Sequence, residues 1–366
     1  MKKLLLVWLV LVSGLGSCAY VRMARHGTPD STDNQIFPAR ALQPAAIPFT
    51  FPVASQNIFI NAAALKGRDR TNFEEYLKSH NTVAFLILRN DSILYENYFY
   101  GYGKDSQIPS FSVAKAFTSA LIGFALQDGL IKSVDEPVTN YLPEMKKNGF
   151  EKVTIKHLLQ MTSGIKFRES DGNPFHEDAQ FYYGQNLRQK SLNLKLARTP
   201  GLKFEYASGN TQLLALILER SLKGKTVTAY LQEKLWSPLG MESAASWSLD
   251  EKTGGVEKAF CCLNATARDF AKFGSLYLNQ GRWNGQQLLP VSWVKESTTP
   301  DTTQGGADYY KYQWWLASKG NDYLAEGILN QYIYINLAQK LVMVKLSKGY
   351  GVWNKWTFFR DIAQQL

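Results

Sequence analysis

The sequence predicts an α+β fold in which an antiparallel sheet is built from both ends of the chain and flanked by helices. Near the start, two β-rich segments at 82–88 and 93–100 are separated by Asn90, Asp91 and Ser92, which favour a hairpin turn. Near the end, segments 323–325, 331–335 and 341–346 have the composition of consecutive strands. Helical patterns occupy the region between the two groups, so both ends are expected to share one sheet.

The helical patterns have apolar residues at helical spacing, and they are found at 72–79, 112–127, 155–161, 211–221, 227–235 and 265–279. Residues 18–65 contain several prolines and no sustained periodicity, which indicates a tether or an arm lying on the main domain. We therefore expect a single domain over 66–366, with a helical insertion or subdomain at roughly 130–265.

Composition indicates a soluble globular chain with a substantial core. The 366 residues are 45% hydrophobic and 20% charged, and the net charge of +10 is spread along the chain. A dispersed excess of this size favours a solvated basic surface, and no nucleic-acid partner is expected. Three cysteines cannot form a disulfide framework, and the adjacency of Cys261 and Cys262 strains any bond between them.

The first residues have the pattern of a signal peptide, with Lys2 and Lys3, an apolar run at 4–12 and small residues before Cys18. The segment Leu15-Gly16-Ser17-Cys18 resembles the bacterial lipobox, in which the cysteine is lipidated after cleavage. We therefore expect residues 1–17 to be removed and Cys18 to anchor the chain to a membrane of the bacterial cell envelope, with the rest periplasmic or extracellular. Ordinary secretion with cleavage nearby is the alternative.

No metal or organic cofactor is expected, because the four histidines are scattered and none pairs at ligand spacing. The chain contains a candidate nucleophile pattern, Ser-x-x-Lys, which places the serine and lysine side chains one turn apart on a helix. Of its three copies, only Ser112 with Lys115 opens a long apolar helix. Gly164 breaks the helix at Ser163, and Ser292 lies in an amphipathic stretch. On this pattern alone, a nucleophile and a simple helix cap remain equally open for Ser112.

Further segments match a known family in the correct order. Tyr206 lies in a Tyr-Ala-Ser-Gly-Asn segment. Together with the Ser112 motif, this segment resembles the serine β-lactamase and penicillin-binding-protein superfamily, and the resemblance extends over roughly residues 70–360. Within that superfamily, the chain's motifs most resemble those of the class C-like branch, and in that branch the 6-aminohexanoate-oligomer hydrolase type. The matching segments are Ser112-Val113-Ala114-Lys115, His157-Leu158-Leu159-Gln160-Met161-Thr162-Ser163-Gly164, the tyrosine segment, Trp236-Ser237-Pro238-Leu239-Gly240-Met241 and Ala267-Arg268-Asp269-Phe270-Ala271-Lys272-Phe273-Gly274.

The resemblance implies a role for each matching residue. Ser112 would form the acyl-enzyme, Lys115 would take its proton, and Tyr206 would relay a proton to the leaving group. Since a phenol titrates near 10, Tyr206 can act as a base at neutral pH only if a cation such as Lys115 stabilises its anion. The backbone N–H groups of Ser112 and Ile328 would form the oxyanion hole, which needs no particular side chain.

Two departures from the family pattern weaken a β-lactam assignment. Ser208 stands where the family usually carries an asparagine. The family's Lys-Thr-Gly strand has an apparent copy at 252–254, which lies too early, so its counterpart by order is Ala325-Glu326-Gly327-Ile328. This segment lacks the lysine that binds the carboxylate of penicillins. Substrate-binding candidates are therefore Ser208, Glu326 and Gly327, with Glu326 as a hypothetical site for a substrate amine.

The resemblance implies a serine hydrolase that cleaves an ester or amide bond of a small-molecule or peptide-like substrate. One alternative is a D-amino-acid peptidase or weak β-lactamase that acts on peptidoglycan-like substrates. From another class, the chain would be a non-catalytic envelope lipoprotein that binds peptidoglycan or a polymer. The presence of Ser112, Lys115 and Tyr206 together argues against this last alternative, since a binding module has no physical need for a paired nucleophile and base.

Overall fold

The computed structural model describes residues 19–55, 58–65, 72–169, 173, 175–318, 320–351 and 354–366. The expected signal peptide and Cys18 lie outside these residues. Within the described ranges, no helix has the length and apolar character needed to cross a membrane.

A seven-stranded antiparallel sheet forms the centre of the fold, in the order β3-β2-β13-β12-β11-β10-β9. Two strands come from the N-terminal part of the chain and five from the C-terminal part, which confirms the predicted fold class. These strands are β2 (Thr82–Arg89), β3 (Ser92–Tyr98), β9 (Tyr310–Lys311), β10 (Trp314–Leu316), β11 (Asp322–Gly327), β12 (Gln331–Asn336) and β13 (Leu341–Ser347).

A smaller antiparallel sheet has the order β1-β5-β6-β4 and lies next to the turn that carries Ser112. Its strands are β1 (Ala39–Leu42), β4 (Ile108–Pro109), β5 (Ala245–Ser248) and β6 (Leu263–Ala265), and β7 (Arg282–Trp283) pairs separately with β8 (Gln286–Gln287). Strands β5 and β6 fall inside the region 130–265, where the sequence indicated helices.

The α-helices are α1 (Ala19–His26), α2 (Phe73–Ser79), α3 (Ala114–Gln127), α4 (Ile155–Leu159), α5 (Glu177–Tyr183), α6 (Leu187–Leu192), α7 (Ser208–Ser221), α8 (Val227–Leu231), α9 (Ala267–Leu278), α10 (Val291–Thr298) and α11 (Lys355–Ala363). Short 3₁₀ turns cover Asp33–Gln35, Ala62–Ala64, Phe111–Val113, Val138–Asn140, Pro143–Asn148, Phe150–Lys152 and Thr303–Gly305, and a π turn covers Gln232–Trp236.

The two faces of the central sheet bury alternate side chains of each strand. On one face Leu86 and Val344 belong to the main hydrophobic core, and on the other Phe85 and Met343 pack with α2 and α11. This alternation follows from the two-residue period of a strand. Helix α9 lies directly on the sheet because Gly274 has no side chain. A Cβ there would approach a Val342 methyl group to 2.6 Å.

Helix α3 lies in the middle of the molecule, and every residue from Ala114 to Ala125 is buried. The Phe117 ring stacks on the Phe273 ring of α9 with centroids 3.7 Å apart. A helix that is apolar on all sides can be stable only inside a core. The long helix predicted after Ser112 therefore forms a rigid support for the residues at its start.

The N-terminal region is more ordered than its proline content suggested. Helix α1 packs against α5, and β1 pairs with β5, and both contacts join this arm to the main domain. Phe37, Leu42 and Phe51 enter the main hydrophobic core. The arm also reaches the cavity described below.

Candidate active site

Ser112 lies in the 3₁₀ turn Phe111–Val113, between β4 and α3. The turn is tied to the smaller sheet by the Ser110 N–H, which donates to the Leu263 carbonyl at 2.9 Å. Phe111 has φ of +44°, a backbone conformation that L-residues rarely adopt. Such strained residues gather at functional sites because the surrounding structure must hold them in place. The Ser112 side chain is half-buried and lines a cavity.

Lys115 lies one turn further along, and its side chain is buried beside Ser112. Its Nζ donates to Ser112 Oγ at 2.9 Å and to the Phe260 carbonyl oxygen at 2.8 Å. Burial lowers the pKa of the Lys115 amine to about 8, although the nearby charge of Glu169 opposes this shift. A useful fraction of Lys115 is thus neutral near physiological pH and can accept a proton.

Tyr206 lies two residues before the start of α7 and next to both Ser112 and Lys115. Its ring centroid is 5.0 Å from Lys115 Nζ, and the ring stacks on Trp315. Burial and the charge of Glu169 raise the pKa of the Tyr206 phenol far above its ordinary value, against a smaller opposing effect of its hydrogen bond with Ser112. The hydroxyl stays protonated at neutral pH, so a proton-donating role fits Tyr206 better than the role of base.

The end of β11 abuts the Ser112 turn. A Cβ on Gly327 would lie 2.4 Å from the Ser110 carbonyl oxygen and 3.1 Å from the Ser112 nitrogen, so only glycine permits this approach. Ile328 follows directly and lines the same cavity as Ser112. The end of β11 therefore lies against the Ser112 backbone, and the role of the Ile328 N–H as an oxyanion donor stays a prediction.

The cavity in front of Ser112 has a volume of about 690 Å³. This size suits a small organic ligand. Its wall is largely apolar and aromatic, and the N-terminal arm contributes to it. The lining residues are Met23, Thr28, Pro29, Asp30, Phe111, Ser112, Glu169, Asp178, Ala179, Tyr182, Tyr183, Ser208, Phe260, Cys261, Ile328, Leu329, Lys348, Gly349 and Tyr350.

Glu169 is the main site residue that the sequence did not indicate. Its carboxylate accepts a hydrogen bond from the backbone N–H of Ser208, another lining residue. The Glu169 side chain is exposed to solvent, yet the protein packed around its carboxyl removes part of its hydration and raises its pKa. The charge of Lys115 opposes that shift. Asp30 and Asp178 also line the cavity, so it carries three acidic side chains.

Glu326 has a different environment from the one expected of an amine-binding residue. Its carboxylate forms an ion pair with Lys355 of α11, and the Tyr332 hydroxyl also approaches it. Glu326 does not line the cavity, although its charge contributes to the raised pKa of Tyr206. A cationic partner thus already neutralises this carboxylate.

The other Ser-x-x-Lys copies have no such arrangement. The Ser163 hydroxyl donates to the side-chain oxygen of Asn210 and Lys166 is exposed, while Ser292 and Lys295 are both exposed on α10. In the part of the chain that the structure describes, no group of three His, Cys, Asp or Glu side chains lies close enough to hold a metal ion.

A family model described as beta-lactamase matches residues 70–353 of the chain. The chain belongs to the β-lactamase family. The match covers both groups of sheet strands and the whole segment that contains Ser112, Lys115 and Tyr206, so the resemblance stated from the sequence motifs is confirmed.

Individual relatives agree with this result. A 6-aminohexanoate-dimer hydrolase of Paenarthrobacter ureafaciens is 26% identical over 75% of this chain and 75% of its own. A solved structure from Bacillus anthracis, named provisionally as a 6-aminohexanoate-dimer hydrolase, has a TM-score of 0.81 at 28% identity, over 91% of this chain and 92% of that one. These relatives support assignment of the chain as a hydrolase.

The fold extends to more distant structures. A penicillin-binding protein from Bacillus halodurans has a TM-score of 0.63 at 18% identity, over 80% of this chain and 99% of its own. At this identity the likeness concerns the fold alone.

Proposed function

We propose that the protein is a serine hydrolase that cleaves amide or ester bonds through an acyl-enzyme on Ser112. The observation that carries this proposal is the position of Lys115 Nζ, 2.9 Å from Ser112 Oγ, on a buried lysine whose pKa is lowered to about 8. A serine hydroxyl is a poor nucleophile unless a base takes its proton as it attacks. Lys115 meets both requirements for that base, which are hydrogen-bonding distance and a pKa near neutrality.

The reaction proceeds in two halves. Neutral Lys115 accepts the Ser112 proton while Oγ attacks the substrate carbonyl, and the N–H groups of Ser112 and Ile328 stabilise the oxyanion. The Tyr206 hydroxyl donates its proton to the departing amine or alcohol, and the Lys115 ammonium returns a proton to Tyr206. Water then attacks the acyl-enzyme with Lys115 as base, which releases the acid and restores Ser112.

The acidic side chains of the cavity favour a substrate with an amino group. Glu169 and Asp178 line the same space as Ser112, whereas Glu326 is paired with Lys355. We therefore transfer the hypothetical amine site from Glu326 to Glu169. The Paenarthrobacter relative is named as a 6-aminohexanoate-dimer hydrolase, and this name supports an amide substrate built from an amino acid.

A matched pair of substrates tests this proposal. The 6-aminohexanoyl p-nitroanilide ends in an ammonium group, and its N-acetylated form ends in a neutral acetamide on the same chain. We expect kcat/KM to be about tenfold or more higher for the free amine, because a charged hydrogen bond contributes about 1.5–3 kcal/mol. Equal or better turnover of the acetylated form would refute the amine site and leave the acyl-enzyme proposal standing.

The same assay separates the alternatives. Turnover of benzylpenicillin or of a D-alanyl-D-alanine peptide in preference to both anilides would favour the peptidase or β-lactamase alternative. We do not expect this result, because Ala325 stands where the resemblance would place the lysine that binds the carboxylate of penicillins. Binding of peptidoglycan without turnover of any substrate would favour the non-catalytic alternative.

We also propose that the protein is a lipoprotein of the bacterial cell envelope, anchored through Cys18. The lipobox-like segment supports this localisation. Expression of the whole chain and of its Cys18→Ser variant tests it. The unaltered chain should sediment with membranes and carry acyl chains on its first residue by mass spectrometry, and the variant should do neither.

A further inference from the structure

Cys261 and Cys262 are joined by a disulfide bond, although their adjacency argued against one. Both residues are buried, and Cys261 lines the cavity in front of Ser112. Disulfides persist in oxidising compartments, which agrees with the export expected from the N-terminal residues. The bond closes a small ring through the peptide between the two residues, so it restricts the backbone at this point.

The backbone around this ring is fixed on both sides. The Cys261 N–H donates to the Lys258 carbonyl at 3.0 Å, and the Cys262 carbonyl accepts from the Ser248 N–H at 3.0 Å. The Trp247 indole also donates to the Cys261 carbonyl. Cys262 has φ of +70°, which costs energy in an L-residue and persists only where other contacts enforce it.

The residues immediately before the ring hold the helix that carries the reactive groups. The Phe260 carbonyl accepts from Lys115 Nζ at 2.8 Å, and the Ala259 carbonyl accepts from Thr118 Oγ1 at 3.0 Å. A continuous path of covalent bonds and hydrogen bonds thus runs from the disulfide through Phe260 to Lys115 and Ser112. Opening the ring would remove one restraint on the left-handed Cys262 backbone and allow the Phe260 carbonyl to move.

We propose that the Cys261–Cys262 disulfide is a positioning element for Lys115, and that thiol–disulfide exchange at this pair slows acylation of Ser112. This proposal rests on the serine hydrolase function proposed above. The exchange needs an external dithiol such as dithiothreitol. One of its thiolates attacks a cysteine sulfur and breaks the S–S bond, and its second sulfur then displaces the protein. The protein gains two hydrogens as two thiols, and the dithiol leaves as a cyclic disulfide.

A fluorophosphonate forms a P–O bond with an activated serine and releases fluoride, so its labelling rate measures the nucleophilicity of Ser112, on which acylation depends. Intact mass first establishes that dithiothreitol has added two hydrogens to the protein. We then expect the labelling rate constant to fall about tenfold, because a small displacement of a catalytic base has effects of this size or larger. Removal of the dithiol and reoxidation should restore the rate.

The double variant Cys261→Ser/Cys262→Ser is the matched control. The probe should label it as slowly as it labels the reduced protein, and dithiothreitol should not change that rate. If the buried disulfide resists dithiothreitol, this variant takes the place of the chemically reduced protein.

A second measurement distinguishes positioning of Lys115 from a change in cavity shape. Substrate affinity, measured in Ser112→Ala, should be the same with and without reduction if the disulfide acts through Lys115.

The outcomes are distinct. Equal labelling rates in the oxidised, reduced and doubly substituted proteins would overturn the disulfide proposal while leaving the hydrolase proposal intact. A parallel loss of labelling and of affinity would also overturn it, because the disulfide would then shape the cavity rather than position the base. Absence of labelling in every state would remove both proposals together.

Discussion

The Glu169 carboxylate accepts a hydrogen bond from the backbone N–H of Ser208, at the start of the helix that follows Tyr206. This contact fixes a carboxylate in the cavity wall near Lys115. Burial lowers the pKa of Lys115 and raises that of Tyr206, and the charge of Glu169 opposes the first shift and adds to the second, so one acidic group acts on both proton-transferring residues.

The first expected consequence is the pH dependence of the wild-type enzyme. Because Lys115 must be neutral to accept the Ser112 proton, kcat/KM should rise with pH and level off above the Lys115 pKa of about 8. The profile should be measured with the N-acetylated anilide, which has no amine of its own to titrate. A rate that falls as pH rises through this value would contradict the role of Lys115 as base.

Replacing Glu169 should move this profile. In Glu169→Gln the charge that favours the Lys115 ammonium is absent, so the pKa of Lys115 should fall and the rising limb should shift to lower pH. The acetylated anilide again isolates this effect from amine recognition. Glu151→Gln, at an exposed glutamate, is the control and should leave the profile in place. A shift to higher pH in Glu169→Gln would contradict the proposed coupling.

Tyr206→Phe should discriminate between leaving groups. The variant keeps the ring against Lys115 and Trp315 but removes the hydroxyl that protonates the leaving group. Hydrolysis of an alkyl amide should fall about 10²-fold, whereas a p-nitrophenyl ester, whose leaving group is stable as an anion, should lose less than about tenfold.

Tyr309→Phe is a matched control for this comparison, because Tyr309 is exposed and belongs to the same aromatic group without lining the cavity. It should hydrolyse both substrates at the wild-type rate. Equal losses on amide and ester in Tyr206→Phe would mean that the hydroxyl is needed before the leaving group departs.

Gly327→Ala should impair acylation without affecting substrate specificity. The added Cβ would meet the Ser110 carbonyl at 2.4 Å and push the end of β11, with the Ile328 N–H, away from Ser112. Loss of one oxyanion donor costs about 10²-fold or more in kcat. The control is Gly103→Ala, where a Cβ meets no atom within 4 Å. Wild-type kcat in Gly327→Ala would exclude this strand from the oxyanion site.

Much of the fold could be predicted because its signals are local. The β-rich runs at 82–88 and 341–346 form neighbouring strands of the central sheet, and the apolar run after Ser112 forms the buried helix α3. Helix bounds differ by a few residues at the ends. Helix α7, for example, begins at Ser208 rather than at 211. Helix α1 was not predicted, because the prolines that follow it along the arm indicated an irregular segment for the whole of residues 18–65.

The site could be predicted only where a motif marks it. Ser112, Lys115 and Tyr206 stand in recognisable segments, whereas Glu169 and Asp30 lie in irregular segments that tertiary structure brings to the cavity. Glu326 was correctly placed on the strand leading to Gly327. Its partner Lys355 comes from the C-terminal helix, and no local pattern in the sequence reveals that ion pair.

The most direct test of the central proposal is the intact mass of the protein after exposure to a fluorophosphonate, compared with Ser112→Ala. We expect one adduct on the wild type, located at Ser112 by peptide mapping, and none on the variant. An adduct that persists in Ser112→Ala, or a wild type that forms none while remaining folded, would contradict the acyl-enzyme mechanism.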